Sequence, residues 1–203
     1  INLKNIRNLP KESNVTMSIY NSQNNKLMYT YMHTLNRNQL PDTLSFDPLY
    51  SYRLVVHTIP EVVVDTIKLI PGKHNIINAK TPQGKLRLRV QGSSSIYTGI
   101  NCIVRKDSSH NTLNVHNMNT TKEYLVGKYD LEILSIPRIY FENVEINQSK
   151  TTDITIPMYG GLQLIKGPGS AALFVKEKGQ NRWVHDFDDE RTTENLNIQP
   201  GKY

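Results

Sequence analysis

A single cysteine in 203 residues excludes an intrachain disulfide, so this chain holds its fold by packing and hydrogen bonding alone. That residue, Cys102, lies in the apolar run Ile100-Asn101-Cys102-Ile103-Val104 and reads as a small buried hydrophobe rather than a nucleophile. Lack of disulfides does not place the chain in the cytoplasm, because many folded domains on bacterial exteriors also lack them. No window approaches the roughly 18 apolar residues that a membrane span requires. No stretch of roughly 12 residues carries a 3.6-residue apolar period, which excludes a fold built on amphipathic helices. The chain opens with Ile and carries no basic-apolar leader, which reads as a processed or excised segment.

Positive charge is present but dispersed. The formal net charge is +6, yet the 24 basic residues stand singly or in short groups such as Lys85-Arg87-Arg89 and Arg105-Lys106. A nucleic-acid groove would gather them on one element beside stacking aromatics, so nucleic acid is not an expected partner.

Strand signals fill the space the absences leave. Val15 to Tyr20 alternates apolar and polar residues, and Lys85-Leu86-Arg87-Leu88-Arg89-Val90 puts three apolar side chains on one face and three charges on the other. Segments 61–70 and 139–146 are rich in Val, Ile and aromatics and are bounded by Pro, Gly, Asn and Ser. An all-β sandwich follows.

The chain also repeats itself. Tyr52, Leu54, Val56, Ile59, Pro60, Ile67 and Leu69 match Tyr129, Leu131, Ile133, Ile136, Pro137, Val144 and Ile146 at a constant offset of 77 residues. Pro200-Gly201-Lys202-Tyr203 then copies the turn Val126-Gly127-Lys128-Tyr129. Such self-similarity marks tandem copies of one folding unit. The expected organisation is a first sandwich over 14–82, a second over 83–160 and a partial third over 161–203. Residues 1–13 read as the tail of a preceding unit or a linker. Tyr52, Pro60, Gly127, Tyr129, Pro137, Gly201 and Tyr203 are the structural marks of the repeat; the tyrosines suit corners that tie a loop to backbone, and the prolines suit an edge, bulge or kink.

Chemistry-bearing residues are sparse. None of His33, His57, His74, His110, His116 and His185 has zinc-ligand spacing. The run Asp186-Phe187-Asp188-Asp189-Glu190 clusters carboxylates, making Asp186, Asp188 and Asp189 weak cation candidates, but it lacks the glycine and spaced ligands of a calcium loop. The clusters Ser93-Ser94-Ser95 and Ser108-Ser109-His110 sit in turn-like sequence without a nucleophile elbow. No cofactor motif occurs. Among the aromatics of the variable segments, Trp183, Tyr97 and Tyr159 are the binding candidates, since a sugar or peptide can stack on them.

The turns and strands Gly127-Lys128-Tyr129, Pro200-Gly201-Lys202-Tyr203 and Asn143-Val144-Glu145-Ile146 with Lys150-Thr151-Thr152 resemble bacterial prealbumin-like modules of the PEGA and carboxypeptidase-regulatory types. The tandem arrangement is similar to the C-terminal region of secreted Bacteroidetes proteins that carry a von Willebrand factor A domain. The first copy, Pro48-Leu49-Tyr50-Ser51-Tyr52, departs by lacking the glycine. The resemblance implies immunoglobulin-like or transthyretin-like sandwiches with no catalytic residues to carry over. The expected role is therefore non-enzymatic: secreted, periplasmic or cell-surface modules that space or display a neighbouring domain and engage a protein partner. The alternatives are a carbohydrate-binding accessory module with a glycan partner, predicting exposed aromatics around Trp183, and an enzyme regulatory domain.

Overall fold

The computed structural model describes residues 1–41, 43–93, 95, 99–106 and 109–203. Seventeen strands and no helix occur among them, so the chain is all-β. No helix is long and apolar enough to cross a membrane among the described residues. The chain divides into two compact units, one of residues 1–86, 122–127 and 145–152, the other of residues 87–121, 128–144 and 153–203.

The first unit opens with β1 (Asn2–Lys4), β2 (Val15–Asn21), β3 (Leu27–His33), β4 (Ser51–Val56), β5 (Val62–Lys68) and β6 (Asn78–Lys80). β3, β2, β4 and β5 form one antiparallel sheet in that order, with Met17 opposite Val56 and Ile19 opposite Leu54. Alternate side chains of a strand point to opposite faces. Met17, Ile19, Tyr52, Leu54 and Val56 therefore share one face, and they are buried together with Val15. β1 and β6 pair in parallel, Leu3 opposite Ala79, and both residues join that same core. Two layers thus enclose one apolar interior. Residues 1–13, expected as a tail or linker, carry a strand whose Leu3 is fully buried in this core.

The remaining strands are β7 (Gln83–Val90), β8 (Asn101–Lys106), β9 (Asn114–Asn117), β10 (Thr121–Leu125), β11 (Gly127–Ile133), β12 (Ile139–Ile146), β13 (Thr151–Ile156), β14 (Gly160–Ile165), β15 (Ala171–Glu177), β16 (Gln180–Phe187) and β17 (Thr193–Ile198). They form sheets ordered β10-β7-β13 and β12-β11-β8-β9, and the pairs β14-β17 and β15-β16. The alternation read from Lys85 to Val90 is realised: Leu86, Leu88 and Val90 are buried while Lys85 and Arg89 are exposed. Antiparallel register sets Leu131 against Val104 and Ile133 against Cys102, all four within the buried set.

Candidate functional site

The two Ile-Pro segments occupy turns between matching strands, β4 to β5 and β11 to β12, and in both the peptide bond is cis. Proline carries no N–H to donate within the turn, and the turn's carbonyls are satisfied by a neighbouring hydroxyl and by a distant main-chain N–H. Thr58 Oγ1 donates to the Pro60 carbonyl at 2.6 Å, and Ser135 Oγ donates to the Pro137 carbonyl at 2.7 Å. The Ile59 carbonyl accepts the Leu125 N–H at 2.8 Å, and the Ile136 carbonyl accepts the Gln199 N–H at 2.7 Å. Leu125 and Gln199 each stand four residues before a Gly-Lys-Tyr tyrosine, Tyr129 and Tyr203. The Ile-Pro turn of one copy is thereby tied to the Gly-Lys-Tyr approach of the next, twice over and with the same atoms.

The repeated tyrosines brace those approaches. Tyr52 hydroxyl donates to the Asp47 carbonyl at 2.8 Å, and Tyr203 hydroxyl donates to the Gln199 carbonyl at 2.6 Å. Tyr129 is buried. A Cβ on Gly201 would meet the Tyr203 ring at 3.2 Å, which is why a residue without a side chain suits that turn. Gly127 opens β11.

A hydrogen-bonded chain that the sequence did not announce lies in the first unit. Ser18 Oγ is 2.7 Å from His57 Nε2, and His57 Nδ1 is 2.7 Å from Glu61 Oε1. With the carboxylate accepting from Nδ1–H, Nε2 of a neutral ring accepts the Ser18 hydroxyl. This is the connectivity of nucleophile, base and orienting carboxylate. Ser18 is only 5% exposed, on β2, and Thr30 Oγ1 also lies 3.3 Å from its hydroxyl. The register places Ile103 of β8 where β2 has Ser18, and the offset of 77 places Leu134 and Arg138 at the positions of His57 and Glu61. The chain therefore belongs to one copy and is not a requirement of the repeat. No local motif joins residues 18, 57 and 61; the pairing of β2 with β4 brings them together.

A second polar cluster, also unannounced, surrounds Glu132. Its buried side chain accepts from Arg105 Nη2 at 2.7 Å and from Arg138 Nη1, while Tyr140 hydroxyl lies 3.5 Å away. Burial alone would raise this carboxyl, but the two guanidinium hydrogen bonds outweigh it and hold Glu132 below the usual carboxylate range. Two guanidinium groups thus pair this buried charge, and removing either would leave it less compensated.

The sequence-derived binding residues are placed unevenly. Trp183, on β16, is 53% exposed, and Phe174, on β15, stands directly opposite it and is 44% exposed. Directly opposed residues project from the same face, so the two rings share one side of the hairpin. Sequence reasoning misses Phe174 because Ala172-Leu173-Phe174-Val175 reads as uniformly apolar, with no marked outward position. Tyr159 is half-buried in the link before β14, and Tyr97 lies outside the described residues, as do Ser94 and Ser108. Trp183 Nε1–H donates to Asp186 Oδ1 at 2.7 Å. Asp188 accepts the Glu190 N–H at 3.0 Å and pairs with Arg191 at 3.2 Å. The acidic run is thus partly consumed in closing its own turn, and among the described residues no three His, Cys, Asp or Glu side chains are grouped to hold a metal ion.

No protein-family model matches the chain, and no curated protein sequence matches it.

Proposed function

We propose that this chain is a set of tandem, non-catalytic β-sandwich modules of the prealbumin-like or immunoglobulin-like kind, from a secreted, periplasmic or cell-surface bacterial protein. The modules space or display a neighbouring domain and engage a protein partner. The copies run over 14–82 and 83–160, the first drawing β1 from residues 1–13, with a partial copy over 161–203. The observation that carries this reading is the twin junction, Leu125 N–H to the Ile59 carbonyl and Gln199 N–H to the Ile136 carbonyl. A spacer needs each module joined to the next in one fixed way, and the same donor and acceptor positions recur at both joins. Pulling single molecules by their termini tests it. Each complete copy should unfold in its own step, releasing about 270 Å of chain for a repeat of about 77 residues. A single step that unravels the whole chain overturns the tandem reading. Antibodies against the chain should label intact source cells; labelling only after permeabilisation removes the surface role.

The Phe174–Trp183 pair favours a second reading, a carbohydrate-binding accessory module, because exposed aromatic faces stack on sugar rings. Soluble polysaccharides should then shift the Trp183 emission and retard the protein in affinity gels, and Trp183→Ala should abolish the retardation while leaving thermal stability within about 0.5 kcal/mol of wild type. Absence of any shift across a polysaccharide panel discards this reading.

A further inference from the structure

Two strands bound the sheet β3-β2-β4-β5, and they are unlike. β5 is guarded. Two of its residues, Asp65 and Thr66, face the single Arg53 of β4, and Thr66 stands at φ +56°. Such a bulge, with charged Asp65 and Lys68 on the same strand, twists an edge away from strand addition. β3 reads Leu-Met-Tyr-Thr-Tyr-Met-His over Leu27–His33 and contains no Lys, Arg, Asp, Glu, Pro or Gly. Its one register shift lies at Met28, near its start. Among the described residues β2 is its only neighbour.

The ladder shows which way the β3 backbone faces. The Thr16 carbonyl accepts the His57 N–H at 2.9 Å and the Ser22 N–H donates to the Ser51 carbonyl at 2.9 Å, so even-numbered residues along β2 bond to β4. Odd-numbered ones turn to β3, as the Asn21 N–H does toward the Lys26 carbonyl at 2.9 Å. Thr30 lies opposite Ser18, and Met32 lies opposite Thr16. In an antiparallel ladder these two therefore aim their main-chain N–H and C=O groups away from β2, at the open edge. Around them Met32 is 60% exposed and Tyr29 is 47% exposed. The segment is also a palindrome, Met28-Tyr29-Thr30-Tyr31-Met32, centred on Thr30.

We propose that β3 pairs antiparallel with β3 of a second copy of this chain, across a two-fold axis at Thr30. In a closed two-fold contact both copies present the same surface, so a strand that reads alike in both directions is complementary to itself. Thr30 then faces Thr30, and each donates its N–H to the other's carbonyl. Tyr29 faces Tyr31 at the non-hydrogen-bonded positions, where side chains approach most closely, and Met28 faces Met32. Thr–Thr and aromatic pairs are favourable cross-strand neighbours, and no like charges are set opposite each other. The two sheets join into one, which covers the Tyr29 and Met32 side chains and closes the edge. The inference stands on β3 alone, whether or not the tandem-repeat reading holds.

Charge at residue 30 tests the contact, because only the two-fold sets that residue against itself. Thr30 is exposed, so substitutions there leave the fold intact. Sedimentation equilibrium between about 10 μM and about 1 mM should show the wild-type mass rising toward that of a dimer. Thr30→Lys and Thr30→Glu should each weaken self-association about tenfold or more, since like charges would then oppose each other. Mixed in equal amounts, the two variants should recover it as a one-to-one heterodimer, which also shows that both are folded. Thr30→Val should associate as the wild type does. A wild-type chain that stays monomeric throughout, a mass that climbs beyond a dimer, a charged variant that associates normally, or a mixture that fails to recover overturns the contact. So does protection of the Thr30 and Met32 amides by an added peptide of alternating Thr and Val while the chain itself stays monomeric, which gives the edge to a foreign extended segment.

Discussion

Gly84 lies so close to Asn147 that a Cβ on the glycine would stand 2.2 Å from the asparagine carbonyl oxygen. The clash would be with backbone, which cannot rotate away as a flexible side chain can. Gly84→Ala should therefore destabilise the protein by about 3 kcal/mol, at the upper end of overpacking costs. Gly160→Ala, with open space around the same position, should stay within about 0.5 kcal/mol of wild type. Urea melts of the two variants decide it; equal midpoints would mean that the chain can cross Gly84 by another path.

Glu132 predicts a pH signature. Burial pushes its folded carboxyl up, but donation from Arg105 and Arg138 outweighs that and holds it below the ordinary value. A depressed carboxyl stabilises the fold fully above the unfolded value of about 4.3, and that contribution is lost as pH falls through the folded value. Glu132→Gln keeps the shape and removes the charge. It should cost about 2 kcal/mol at pH 7, most of it through Arg105, since Arg138 is more than half exposed. The gap between wild type and variant should begin to narrow as pH falls below about 4.3 and close once pH lies below the folded value. A constant gap across the pH range would show that the carboxylate charge is not what the arginines hold.

Glu132 also marks where sequence reasoning stops. The alternation of Lys85 to Val90 was readable because each residue's face follows from its parity alone, and the buried Leu86, Leu88 and Val90 follow that parity. The matched Tyr52 and Tyr129 were readable because a repeat fixes equivalent positions without any knowledge of contacts. Glu132 was not, because it lies between Leu131 and Ile133 and its burial depends on two arginines from β8 and the β11–β12 turn. β1 was hidden for a similar reason. Three residues make no periodic signal, and Leu3 becomes core only through pairing with Ala79, 76 positions away. Ser18, His57 and Glu61 meet through strand register, which local spacing does not encode.

The Ser18-His57-Glu61 chain offers the sharpest test of a non-catalytic role. A serine whose hydroxyl is activated by His57 and open to substrate would react with a fluorophosphonate probe. Ser18 is 5% exposed and shared with Thr30, so mass spectrometry should find no adduct on the native protein. His57→Ala should instead act on stability, costing about 1 kcal/mol through the hydrogen bonds to Ser18 and Glu61. A stoichiometric adduct on Ser18 that disappears in His57→Ala would make this chain a serine hydrolase and end the structural interpretation.

Cys102 supplies a reporter for the interior of the second copy. It is fully buried on β8 opposite Ile133, and burial pushes its thiol up to about 12. An unfolded thiol titrates near about 8.5, and the thiolate is the reactive form. The unfolded chain therefore loses its thiol proton at a lower pH than the folded one, so this group's stabilising contribution is complete below about 8.5 and declines as pH rises toward the folded value. At pH 8 a water-soluble disulfide reagent should label the native protein at least about a thousandfold more slowly than the urea-unfolded chain, since labelling must wait for the sheet to open. The rate should climb steeply with urea, in step with loss of the β-sheet signal. Rapid labelling without denaturant would place Cys102 at the surface and with it Val104, Leu131 and Ile133, dissolving the core beneath the β12-β11-β8-β9 sheet.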